Sequence, residues 1–211
     1  VKDWGELVVS QGTEEMLTVS APEDTLRKIR ADVANGKLII GIEGNWLDKI
    51  GDAITGTMSG KWIKYELTVC ELRGLAVLGA LKADLNDIAT DELALRLSGA
   101  GSIDISQLTV QSLKVQLTGA GAVNVQGEAA NQVVELSGAG SYFSPDLESR
   151  TANVVVSGAG SATVWAVDEL KAAVRGVGSI EYLGSPAVTR SVTGLGSIKP
   201  RMGTRRSGHT P

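Results

Sequence analysis

The side chains able to do chemistry are few, and their placement limits what they can do. The one imidazole, His209, stands two residues from the C-terminus, so a His-dependent triad or a His-ligated metal site is not expected. Cys70 is the only Cys, which leaves no intramolecular disulfide and no CxxC metal site. Asp84 and Asp104 stand one repeat apart and so call for a test, because polysaccharide lyases and hydrolases built on stacked β-structure need clustered acids on one face. In register they would lie about 5 Å apart, a separation that suits a retaining pair. Any two neighbours in a stacked repeat have that separation, and no His, Arg or Tyr supports this pair. The equivalent positions read Asp84, Asp104, Asn124, Phe143, Thr163, Glu181 and Lys199, so acidity is not maintained. A solvated acidic face is expected in preference to a Ca²⁺ site of the Gly-rich β-roll kind.

Gly-x-Gly units could bring backbone N–H groups to a phosphate. None completes GxGxxG and no helical pattern follows one, so they read as corners and no cofactor is expected. Phe143, Trp165 and Tyr182 fall five, seven and six residues after the first Gly of their units, and an exposed aromatic surface there could stack on a sugar. The alternative is that they plug corners where unit length changes.

These residues are held by a repeat. Leu-Arg-Leu-Ser-Gly-Ala-Gly-Ser-Ile-Asp-Ile (95–105) returns as Val-Gln-Leu-Thr-Gly-Ala-Gly-Ala-Val-Asn-Val (115–125), and again, with substitutions, from 134, 154, 172 and 190. The first Gly recurs as Gly79, Gly99, Gly119, Gly138, Gly158, Gly176 and Gly194, at spacings of 20, 20, 19, 20, 18 and 18. The second recurs as Gly101, Gly121, Gly140, Gly160, Gly178 and Gly196, with Leu81 in its place in the first unit. Around each corner apolar residues alternate, the period of a strand with one face inward, and Gly admits positive φ and a tight bend. A unit holding two or three strands of three to five residues is too short for a propeller blade or a helical pair. Each unit therefore reads as one coil of a parallel β-solenoid of about seven coils. Leu97, Leu117, Leu136, Val156, Val174 and Val192 would form one inward ladder, and Ile103, Val123, Ala162, Ile180 and Ile198 another. Ser98, Thr118, Ser137, Ser157 and Thr193 would stack beside the corner with hydroxyls able to bond turn backbone.

Composition agrees with such a core. The 211 residues include 26 Gly, about 12% against a usual 7%, but only four Trp, three Tyr and one Phe. At 43% hydrophobic and 21% charged the chain is neither disordered nor a membrane bundle, and its longest uncharged run, 151–167, is broken by Ser and Gly. The pI near 5.1 argues against a nucleic-acid partner. Lys199, Arg201, Arg205 and Arg206 all follow Ile198, so residues 1–198 carry −8 and the whole chain −4.

Residues 1–70 lack the motif but carry strand signals at 7–12, 17–19, 29–33 and 38–40, with a hairpin-like Asn35-Gly36. Residues 23–30 read as a helical turn or a loop. The expected division is an N-terminal β cap over 1–70 with an irregular excursion at 46–61, solenoid repeats over 71–200 and a basic tail over 201–211. The open last coil, with positive charges facing an acidic body, suggests head-to-tail association that could extend into a filament.

The chain resembles the bacterial auto-transporter adhesin head GIN domain family. The resemblance rests on Gly36-Lys37-Leu38-Ile39-Ile40, on Tyr65-Glu66-Leu67-Thr68-Val69 with Glu71-Leu72-Arg73-Gly74-Leu75, on the Ser-Gly-Ala-Gly-Ser units, and on Val164-Trp165-Ala166-Val167 through Gly194-Leu195-Gly196-Ser197-Ile198. Cys70 departs from the family's usual Pro, and the excursion around 47–60 is longer than typical. The resemblance implies an exported, β-helical protein of the cell surface or periplasm and supplies no catalytic residues. With general chirality it implies a single-stranded, right-handed parallel β-helix. The function expected is a structural or adhesive module with a surface glycan or protein as ligand and no membrane span of its own. The alternatives are a filament subunit and a carbohydrate-active enzyme.

Overall fold

The computed structural model describes residues 5–42 and 63–201. The excursion expected at 46–61 lies outside the described residues, as does the tail beyond Arg201. The chain begins with strands β1 (Gly5–Gln11) and β2 (Met16–Ser20), a one-turn helix α1 (Glu23–Leu26) and a hairpin of β3 (Ile29–Ala34) and β4 (Lys37–Ile42). Next come β5 (Lys64–Val69), β6 (Gly74–Val77), β7 (Leu81–Asn86), β8 (Ile88–Leu97), β9 (Ser102–Leu117) and β10 (Ala122–Leu136). The chain closes with β11 (Ser141–Val156), β12 (Ser161–Gly176), β13 (Ser179–Leu183), β14 (Ala187–Gly194) and β15 (Ser197–Pro200).

Alternation of buried and outward residues, skipping one position at each bend, makes these segments strands. In β9, Ile103, Ile105, Leu108, Val110, Leu113, Val115 and Leu117 are buried while residues between them face out. Successive units then pair in parallel from β7 through β9, β10, β11 and β12 to β13 and β15. The product is a β-solenoid of about six turns, because seven corners bound six intervals. Strands of three to five residues were expected, yet β9, β11 and β12 each run 16 residues. From β9 to β12 only the Gly corner interrupts the strands, and bending elsewhere in the coil is taken within the strand with register shifts, whereas the first and last coils also break at Asp87 and over 184–186.

Both aliphatic ladders have the expected register. Leu97 pairs with Leu117, then Leu136, Val156, Val174 and Val192 follow in line. Val192 departs from the expected burial and is 47% exposed, because among the described residues no rung stacks beyond β14. The second ladder contains Tyr142 between Val123 and Ala162, a large side chain followed by a small one. At the corners it is the backbone N–H groups of Ser98, Thr118, Ser137 and Ser157 that bond the coil below, to Val77, Leu97, Leu117 and Leu136.

The corner glycines are required for a different reason from the one expected. Of the repeat glycines, only Gly176 and Gly194 have positive φ, +144 and +122. From Gly99 onward the coils approach too closely for a side chain: a Cβ on Gly99 would lie 2.2 Å from the Gly79 carbonyl oxygen.

The N-terminal segment is woven into the same sheet. β1 lies between β5 and β7, parallel to both, and carries Leu7 and Val9 into the core. β2 runs antiparallel to β5 and ends the stack. The β3–β4 hairpin turns at Asn35 (φ 52) and Gly36 (φ 70), the positive pair of a type I′ turn, and buries Ile40 against the core.

The solenoid surface as candidate functional site

The outward column has the order expected, from Asp84 through Asp104, Asn124, Phe143, Thr163 and Glu181 to Lys199. Its two Asp residues are register partners, and each is engaged by a neighbour. Lys82 lies 2.9 Å from the Asp84 carboxylate, which holds its ammonium above the ordinary lysine value. The Asn124 amide donates to Asp104 at 2.6 Å, and Ser102 donates to the same carboxylate at 3.3 Å. Among the described residues no three His, Cys, Asp or Glu gather to hold a metal ion.

Along the Gly corners the coils leave an open groove of about 420 Å³ whose walls include Ala100, Gly101, Ser102, Ala120, Gly121 and Ser141. Apart from Leu81 and Lys82, the latter paired with Asp84, its walls offer small side chains and already bonded backbone: Ala120 N–H bonds Gly99, and Ala122 N–H bonds Gly101, both at 3.1 Å. Amides committed to the next coil are not available to cradle a phosphate.

The three aromatics do not form one surface. Phe143 faces outward, 41% exposed, with the Arg201 guanidinium carbon 5.4 Å from its ring centroid. Tyr182 is 6% exposed and points inward, and Arg190 donates to its hydroxyl at 2.9 Å, so Tyr182 is corrected from ligand surface to core. Trp165 is half-buried where the coil shortens: Ser144 pairs with Val164 and Glu148 with Trp165, so three residues of β11 have no counterpart in β12.

That shortening accounts for a buried polar cluster that the sequence reading missed. A register shift removes ladder partners from backbone carbonyls, and buried carbonyls need replacements. Ser149 donates to the Trp165 carbonyl at 2.6 Å, Gln132 donates to it at 3.3 Å, and Ser144 donates to the Thr163 carbonyl at 3.0 Å. Gln132 also donates to Ser149 at 2.6 Å and accepts from the Tyr142 hydroxyl at 3.1 Å. The available signal was Gln132 itself, a polar residue between Leu113 and Ala152 in an inward column.

Burial pushes the Tyr142 phenol well above its ordinary 10.0, partly offset by a hydrogen bond with Ser144. The unfolded chain releases this proton near 10.0 while the folded chain retains it. The resulting stability is therefore complete below that pH and drains as pH rises above it. Between about pH 9 and about pH 11 the wild type should lose about 1.4 kcal/mol that Tyr142→Phe does not, read from urea midpoints. Equal losses in both proteins would contradict this assignment.

A parallel β-solenoid whose repeated residues serve its own stacking defines the class of protein. Residues 1–186 match the family described as "Putative auto-transporter adhesin, head GIN domain", and the chain belongs to it. Among solved structures, a putative adhesin from Bacteroides fragilis is 28% identical with a TM-score of 0.80, the match covering 94% of this chain and 90% of that one. A putative lipid binding protein from Parabacteroides distasonis is 20% identical with a TM-score of 0.68, covering 95% and 92%. A putative adhesin from Parabacteroides merdae is 17% identical with a TM-score of 0.65, covering 95% and 90%. These last two speak for the fold alone. No curated protein matches the chain.

Proposed function

We propose that this chain is a non-catalytic module of the bacterial envelope or cell exterior, a short rod that holds an adhesive surface away from its attachment. The observation that carries the reading is the fate of the repeated residues. Glycines pack coil on coil, aliphatics fill the core, and the paired carboxylates Asp84 and Asp104 bond their neighbours Lys82, Asn124 and Ser102. General acid–base work needs a carboxyl free to exchange its proton with substrate. Likeness to the Bacteroides fragilis protein supports an adhesive role and an exported location. The ligand we favour is a glycan, received by the exposed Phe143 ring with the part-buried Asn124 beside it in the column.

The test is to incubate the purified protein with a panel of pectic, alginate, glucan and mucin-type polymers, measuring retention and released product together. Retention without product is expected, weakened at least fivefold by Phe143→Ala. Product formation abolished by Asp104→Asn would overturn the reading in favour of an enzyme.

A further inference from the structure

A solenoid has two ends, and here they differ. At the N-terminal end β2 crosses antiparallel to β5 and stops the parallel stack. At the C-terminal end β14 pairs with β12 on one side and with no strand on the other among the described residues. Such an edge is a template for strand addition, with unpaired N–H and C=O groups and the open end of a core. Apolar side chains are exposed there: Val192 of β14 is 47% exposed and Leu195 at the last corner 88%.

One residue of β14 breaks the pattern. Arg190 pairs with Ala172 and so occupies an inward position, in line with Leu95, Val115, Val134 and Val154, all at most 1% exposed. A cation therefore stands where each earlier coil has an aliphatic side chain. Its guanidinium reaches across the end of the core to donate to the Tyr182 hydroxyl at 2.9 Å and lies 5.8 Å from that ring's centroid. Pro200, which has no N–H, ends β15, with Lys199 and Arg201 on either side of it. Inward-pointing charges, Pro and edge cations are the devices by which natural sheets refuse a further strand.

We infer that the C-terminal rung is a self-association surface kept closed by Arg190, and that the occupant it excludes is the same rung of a second copy. This inference goes beyond the proposed adhesive role and takes the place of the head-to-tail filament suggested by the sequence. Stacking another copy there would strip water from Arg190 and bring two sets of like charges together, at a cost no hydrogen bond to a partner strand recovers. Replacing Arg190 with Val completes the aliphatic column. Two identical edges then meet about a dyad, and such a contact is closed, so a dimer forms and growth stops there.

The experiment is sedimentation velocity on the full chain, with circular dichroism to verify folding, for the wild type, Arg190→Val, Arg190→Lys and Thr193→Val. The wild type, the Lys variant and the outward Thr193→Val variant should sediment as monomers. Arg190→Val should dimerise at a concentration at least a hundredfold lower than any of them. A monomeric, folded Arg190→Val protein would overturn the proposal, as would a wild type that dimerises equally well. Polymers in place of dimers would overturn the assignment of the occupant. If Arg190→Val does not fold, Arg190→Gln removes the charge alone and is read by the same criteria.

Discussion

Gly121→Val should lose about 3 kcal/mol or more of stability, seen as a large fall in the urea midpoint, and on a less stable background the variant should not fold. A Cβ at this buried corner would lie 2.4 Å from the Gly101 carbonyl oxygen and 2.6 Å from Leu97 Cδ2. Backbone cannot yield as a flexible side chain can, so the coils must separate, and Ser141 N–H loses its 3.0 Å bond to the Gly121 carbonyl as they do. Overpacking alone typically costs 1–3 kcal/mol, and the broken ladder adds to it. Ser141→Ala, next to Gly140 but on an outward column, should change stability by less than about 0.5 kcal/mol. An unchanged midpoint for Gly121→Val would mean that the corners do not stack as described.

The second large effect is expected at Gln132, which is 1% exposed and joins Tyr142, Ser149 and the Trp165 carbonyl. Gln132→Ala should cost about 3 kcal/mol, since it removes the acceptor of a buried hydroxyl and opens a cavity. Gln132→Leu fills the space but still leaves the Tyr142 hydroxyl without its acceptor, for a loss of about 2 kcal/mol. Adding Tyr142→Phe to Gln132→Leu should recover at least half of that loss, because replacing both partners by apolar groups of similar shape is nearly neutral. Ser149 continues to satisfy the Trp165 carbonyl in both proteins. Strictly additive losses in this double-mutant cycle would show that the cluster does not act as a unit.

How far the sequence could be read follows from what repeats in it. Columns separated by a fixed period declare their own register, so the Leu97 ladder and the Asp84 column were legible from alignment of the units. Departures from the period were not. The coil of 19 residues loses its residue at Gly127, whose φ is +131 and where a Cβ would lie 2.1 Å from the Leu108 carbonyl oxygen of the neighbouring coil. The loss of three residues opposite Trp165 creates the need for Gln132, Ser144 and Ser149, and that need exists only in three dimensions. Positive φ was inferred at the corners from residue type alone, whereas interstrand distance is what selects most of these glycines. Tyr182 was grouped with Phe143 and Trp165 by its distance from the corner Gly, although alternation with Ile180 places it inward.

A solenoid proposed to serve the bacterial envelope as a binding surface without catalysis is tested most directly by where it resides. Cells producing the native chain should be separated into cytosolic, periplasmic and membrane fractions, with a parallel sample treated with protease before lysis, and each probed with antibody to the solenoid. Signal is expected in the envelope fractions or lost to protease on intact cells, with a cytosolic marker preserved. Signal confined to the cytosol and protected until lysis would contradict it.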